Sequence, residues 1–175
     1  MLQRFFRPRP AKVAGEALYA AAAAQARTPA FYAAAGVPDT REGRFELYTL
    51  HVVLLMDRLR GQGDQADETS LALSERYVRG LDDAFRELGV GDIALAKKMK
   101  TLGQAFYGRL KAYGEAFAAL PDAGMLEDVV ARTLLEGGEG DRAGLTRYAL
   151  RTRESLAAQP LARLCAGDVT WEAWA

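Results

Sequence analysis

The sequence predicts an all-α fold, a single-domain bundle of six or seven helices around a buried central helix. Three observations carry this expectation. Nearly every segment repeats its apolar residues at helical rather than alternating spacing. Glycines that end helices, and Asp, Thr and Pro residues that open them, stand at the segment boundaries. One segment, 41–60, is apolar on almost every side. At 175 residues the chain is long enough to bury about 70% of the surface its unfolded form exposes, so one core suffices.

Residues 1–10 read as a flexible basic tail, with Arg4, Arg7, Arg9 and Lys12 ahead of or just inside the first helix and Phe5 and Phe6 among them; the domain is expected over 11–175. This start does not read as a secretion signal. Pro8 and Pro10 break it, Glu16 interrupts the apolar stretch, and the run Ala20 to Ala24 is weakly hydrophobic. An alanine-rich helix is expected over 11–27. Thr28 followed by Pro29 restarts a short helix that Gly36 closes.

After Val37 and Pro38, Asp39 and Glu42 stand at capping-box spacing ahead of the helix 41–60, which Gly61 stops. Phe45, Leu47, Leu50, Val52, Val53, Leu54, Leu55 and Leu59 cover nearly all of its sides, which is the pattern of a buried helix. A polar helix follows over 65–88 and ends at Gly89. Val90 and Gly91 link it to the next helix, for which Asp92 is the expected cap.

The helix over 93–120 is the most legible. Steps of roughly 100° place Leu95, Met99, Leu102, Phe106, Leu110, Tyr113, Phe117 and Leu120 on one stripe, with Lys97, Lys100, Gln104 and Lys111 opposite. Ala96, Gly103 and Gly114 form a small-residue edge where a neighbouring backbone is expected to approach. Pro121 and Asp122 open a helix to 136, Gly137 and Gly138 end it, and Asp141 caps another to 159. A short turn and a tail with Trp171 and Trp174 complete the chain.

Lys+Arg and Asp+Glu are both 23, a balance that argues against a DNA-binding protein. The charge is segregated by helix all the same. Residues 61–92 hold eight acids and three bases, and residues 93–120 hold five bases and one acid. The strongest apolar run, 52–56, is far short of the roughly 20 residues of a membrane span, so a cytoplasmic protein, peripheral to a membrane at most, is expected. Cys165 is the single cysteine and reads as a small buried apolar residue, which excludes an internal disulfide.

No metal-ligand cluster, glycine-rich phosphate loop or serine elbow is present, so neither catalytic residues nor a metal or other cofactor is expected. His51, the single histidine, reads as a core residue hydrogen-bonded to a neighbour. The enzyme alternative makes it a haem ligand in a haem-binding or haem-degrading protein. Arg44 and Arg58 share its strip; each can close over the histidine, face a partner, or pair with the acidic helix 65–88, the preferred use. Gly89, Val90, Gly91 and Asp92 suit a tight helix-to-helix turn better than a phosphate site. Lys97, Lys98, Lys100, Arg109 and Lys111 form either a solvated face or a contact for ribosomal RNA phosphates or anionic lipid. Tyr107 and Arg109 either rim a groove for an apolar helix or are two amphipathic residues at a helix–helix boundary.

Three blocks, Gly43, Arg44, Phe45, Glu46 and Leu47 with Leu50 and His51, then Arg86 through Asp92, then Lys98, Met99 and Lys100 followed by Phe106, Tyr107, Gly108 and Arg109, resemble in order and spacing the ubiquinol–cytochrome c chaperone family. The resemblance extends weakly to Arg132 and Thr133, where the family pattern has Arg-Asn. It implies a bacterial, non-enzymatic assembly factor for respiratory complex III that binds newly made cytochrome b. It also implies work at the ribosome or at an anionic inner-membrane surface, and, in mitochondrial relatives, a small partner protein. The candidate partner contacts are Arg44, His51, Arg58, Asp92, Lys97, Lys100, Tyr107, Arg109 and Lys111.

Overall fold

The computed structural model describes residues 10–174, and the basic residues Arg4, Arg7 and Arg9 with Phe5 and Phe6 lie outside them. The helices among the described residues are α1 (Pro10–Ala26), α2 (Ala30–Ala33), α3 (Arg41–Leu59), α4 (Asp64–Glu87), α5 (Asp92–Ala118), α6 (Gly124–Thr133), α7 (Arg142–Ala158) and α8 (Leu161–Cys165). These eight exceed the expected six or seven because the turn after Gln159 is itself a one-turn helix. Helix α3 is the centre of the fold, as its all-round apolar pattern requires. Leu47, Leu50, Val52, Val53, Leu54, Leu55 and Leu59 are buried, and α3 packs on α1, α4, α5 and α7.

The cap of α3 is Thr40 rather than Asp39. The Thr40 hydroxyl oxygen accepts from Gly43 N at 3.0 Å, while Asp39 is drawn away by Arg44 Nε at 2.6 Å. Asp92 likewise does not cap α5: Gly91 holds the N-cap position without a side-chain bond, and Asp92 instead accepts from Arg86 Nη1 at 3.3 Å. The turn itself is as expected. Gly89 takes φ +73°, and Val90 N reaches back to Phe85 O at 3.1 Å, the helix-ending bond pattern that a left-handed glycine permits.

Close helix approach falls at α1 and α4, not at the edge of α5 where it was expected. A Cβ on Gly15 would lie 2.7 Å from both Ala72 Cβ and Leu73 N. Nothing lies within 4 Å of a Cβ on Gly103, and Gly114 would meet only the Arg60 guanidinium at 3.9 Å; Ala96 is exposed. Gly15→Ala is therefore expected to destabilise the fold by about 2 kcal/mol despite alanine's better helix propensity, because the obstruction includes backbone. Gly103→Ala is expected to stabilise by about 0.5–1 kcal/mol. Chemical denaturation of the two variants checks the assignment, and the reverse order contradicts it.

Two buried tyrosines pin α4 and α5 by the same device. Thr49 donates to Phe45 O at 2.7 Å, leaving its oxygen 2.7 Å from the Tyr77 hydroxyl to accept from it. Thr133 donates to Val129 O at 2.8 Å and accepts from Tyr113 at 3.1 Å. Thr133, the departure from the family pattern, is thus fully employed in the core. The C-terminal segment is also packed rather than a tail: Trp171 meets the His51 ring edge-on at 5.0 Å and Trp174 meets Phe31 at 5.6 Å. Cys165 is buried and free.

Candidate functional site: two grooves flanking helix α5

The apolar stripe of α5, with Leu95, Phe106, Tyr113 and Phe117 buried, seats the helix on α3, α4 and α6. Met99, Leu102 and Leu110 on the same stripe are half-buried, so the packing is incomplete along both flanks of the helix. On one flank lies a groove of about 720 Å³ lined by Met56, Leu71, Ser74, Glu75, Val78, Arg79, Asp82, Met99, Phe106, Tyr107 and Leu110. Its rim carries exposed apolar side chains: Tyr107 is 70% exposed and Leu71 59%. Water-facing apolar surface of this kind marks contact sites, and the two methionines provide a lining that adapts to different occupants.

On the other flank a groove of about 760 Å³ opens between the start of α3, the end of α4 and the start of α5, lined by Phe45, Leu81, Phe85 and Leu102, with exposed Leu88 at its mouth and Arg41, Glu42, Arg44, Lys97 and Lys98 at its edges. Glu46 and Arg109 join α3 to α5 beside it. Arg109 Nε lies 2.8 and 3.1 Å from the two Glu46 carboxylate oxygens, and Nη2 bonds the same carboxylate, a forked pair with Glu46 buried. This carboxylate holds the Arg109 guanidinium above its ordinary pKa, against the opposing effect of burial.

His51 is fully buried in the core, away from both grooves. Its Nδ1 lies 2.7 Å from Leu47 O and its Nε2 2.8 Å from the Tyr148 hydroxyl. The carbonyl can only accept, so Nδ1 carries the proton and Nε2 accepts from Tyr148. Tyr148 in turn accepts from Gln25 Nε2 at 3.0 Å, and the same amide nitrogen holds Glu172 O at 2.9 Å. Burial pushes His51 down to about 4, with the Leu47 bond opposing. A neutral histidine with both nitrogens engaged has none left for iron, which removes the geometric basis of the haem alternative, and at this depth it meets no partner. Its role is to tie α1, α3, α7 and the C-terminal segment together.

The remaining sequence candidates separate. Tyr107 rims the first groove, while Arg44 and Lys97 edge the second. Lys100 and Lys111 are exposed on the outer face of α5, and Lys111 lies 3.8 Å from Glu115. Arg109 is engaged by Glu46 rather than free at a rim. Arg58 neither covers His51 nor pairs with α4; it donates to Leu156 O at 2.8 Å and Gln159 O at 3.1 Å, satisfying carbonyls at the end of α7. Arg44 also misses α4 because Asp39 is nearer in sequence and space. The rim residues Leu71 and Val78 escaped sequence reading. Their signal was two apolar residues seven apart on α4, beside its buried stripe of Leu73 and Tyr77.

No helix among the described residues is long and apolar enough to cross a membrane, and they contain no group of three or more potential metal ligands. The family model described as ubiquinol-cytochrome C chaperone matches residues 33–171. The chain is also similar to the crystal structure of the Cbp3 homolog from Brucella abortus, with 32% identity, a TM-score of 0.85, and coverage of 99% of this chain and 97% of that one. No curated protein matches the chain.

Proposed function

We propose, from the premise that this chain belongs to the ubiquinol–cytochrome c chaperone family, that it is a non-enzymatic assembly factor that holds an apolar helix of newly made cytochrome b in the groove beside Tyr107. The observation that carries this is the exposed apolar rim of that groove, formed by Leu71, Val78 and Tyr107. A helix newly delivered from the ribosome has no partners yet, and a groove between two helices covers its apolar side as a third helix would. The methionines accommodate a bulky stripe without a fixed shape. Release needs no chemistry, since a client helix leaves when its own subunit offers a better-packed surface.

The exposed lysines Lys97, Lys100 and Lys111 support docking at ribosomal RNA or at the anionic cytoplasmic face of the inner membrane, because solvated cations meet phosphates at little structural cost. Deleting the gene is expected to lower assembled complex III several-fold with the cytochrome b transcript unchanged. Re-expressing Val78→Glu, which puts a charge into the groove rim, is expected not to restore it. Native gels and quinol oxidation rates are the measurement. Normal complex III in the deletion strain contradicts the assembly role, and full rescue by Val78→Glu contradicts the groove.

A further inference from the structure

The second groove differs from the first in its charge. Among the described residues Arg41, Lys97 and Lys98 make no ion pair. Lys98 lies over the Phe85 ring at 5.5 Å, so its ammonium sits directly above the apolar floor. Glu46 is neutralised by Arg109 and Arg44 by Asp39, which leaves Glu42 as the opposing charge at this rim. The groove beside Tyr107 instead carries Glu75, Arg79 and Asp82, with Asp82 paired to Arg86 at 2.7 Å. Two apolar-floored grooves therefore lie on opposite flanks of one helix, and a cluster of unpaired cations borders the second.

We propose that the basic groove docks an amphipathic helix with an acidic flank, supplied by a protein partner. It does so while the groove beside Tyr107 holds its client, a simultaneity that rests on the function proposed above. The floor of Phe45, Leu81, Phe85 and Leu102 with Leu88 at the mouth matches the apolar face of such a helix, and Arg41, Lys97 and Lys98 match its flank. A nucleic-acid backbone leaves that floor uncovered. A flat bilayer does not reach the floor of a concave groove.

The test uses the full chain and two synthetic peptides of about 18 residues, five helical turns, that share one leucine stripe and differ in carrying Glu or Lys along its flanks. Fluorescence anisotropy at low salt is expected to show the Glu peptide bound about tenfold more tightly than the Lys peptide. Arg41→Glu, Lys97→Glu and Lys98→Glu together are expected to reverse the preference. Leu88→Glu, at a side chain already 56% exposed, is expected to weaken Glu-peptide binding about tenfold, and Val78→Glu to leave it unchanged. Equal binding of the two peptides, or a preference that survives the charge reversal, overturns the proposal. Loss of binding in Val78→Glu but not in Leu88→Glu also overturns it, since the peptide then occupies the client groove. So does sedimentation with phosphatidylglycerol vesicles that the charge reversal abolishes while neither peptide binds. Any of these results in a strain whose complex III still depends on the chain leaves the client reading standing.

Discussion

Acidification from pH 7 to pH 4 is expected to lower the unfolding free energy by about 3 kcal/mol through His51 alone. Its folded pKa is about 4 and its unfolded pKa about 6.5. Between these values the unfolded chain binds a proton that the native state refuses, so stability rises with pH. The His51 contribution is complete above about pH 6.5 and is lost as the pH falls toward 4, with a limiting slope of about 1.4 kcal/mol per pH unit. His51 is the single histidine of the chain, the side-chain type whose charge change ordinarily falls between pH 5 and 8. Urea denaturation across this range measures the slope. A flat profile contradicts the buried neutral imidazole, and His51→Gln, which has no proton to take up, should lose the slope even though it weakens the fold.

Arg109→Ala is expected to destabilise by about 3 kcal/mol or more, because it leaves the buried Glu46 carboxylate without its partner. Glu46→Ala should cost less. The Arg109 side chain retains 29% exposure against 10% for Glu46, so an unpaired guanidinium can turn to water where the carboxylate cannot. The double substitution should cost less than the sum of the two, since the second removes a charge the first has already orphaned. Denaturation midpoints for the three variants are the check. A loss under about 1 kcal/mol in Arg109→Ala, the value of an exposed pair, contradicts the account. Because this pair clamps the start of α3 to the middle of α5, its loss is also expected to loosen the walls of both grooves.

Local pattern and long-range pairing account for what sequence reading reached and what it did not. The burial of α3 follows from its apolar residues alone, and the stripe of α5 from 100° steps, so the fold and the seat of both grooves were legible. The Asp141 cap was legible too, because its bond to Gly144 N spans three residues. Arg109 pairs across 63 positions with Glu46 and His51 across 97 with Tyr148, and no periodicity connects such residues. The same blindness assigned close approach to Gly103: a glycine in a helix signals a neighbour only if the packing supplies one, and here Gly15 faces it. Asp39 failed as a cap for a local reason, since Arg44 five residues on outcompeted a backbone amide for its carboxylate. The grooves themselves arise where two amphipathic helices meet at an angle that leaves their flanks uncovered.

The claim that this chain holds a cytochrome b helix beside Tyr107 is tested most directly by photo-crosslinking in cells. A photoreactive amino acid is placed at Tyr107, at Val78 or at Lys111, and the captured product is identified by mass spectrometry. Positions 107 and 78 line one groove, whereas Lys111 lies on the outer face of the same helix. The account predicts capture of newly made cytochrome b at 107 and 78 and little at 111. Equal capture at all three positions, or capture at 111 alone, contradicts it.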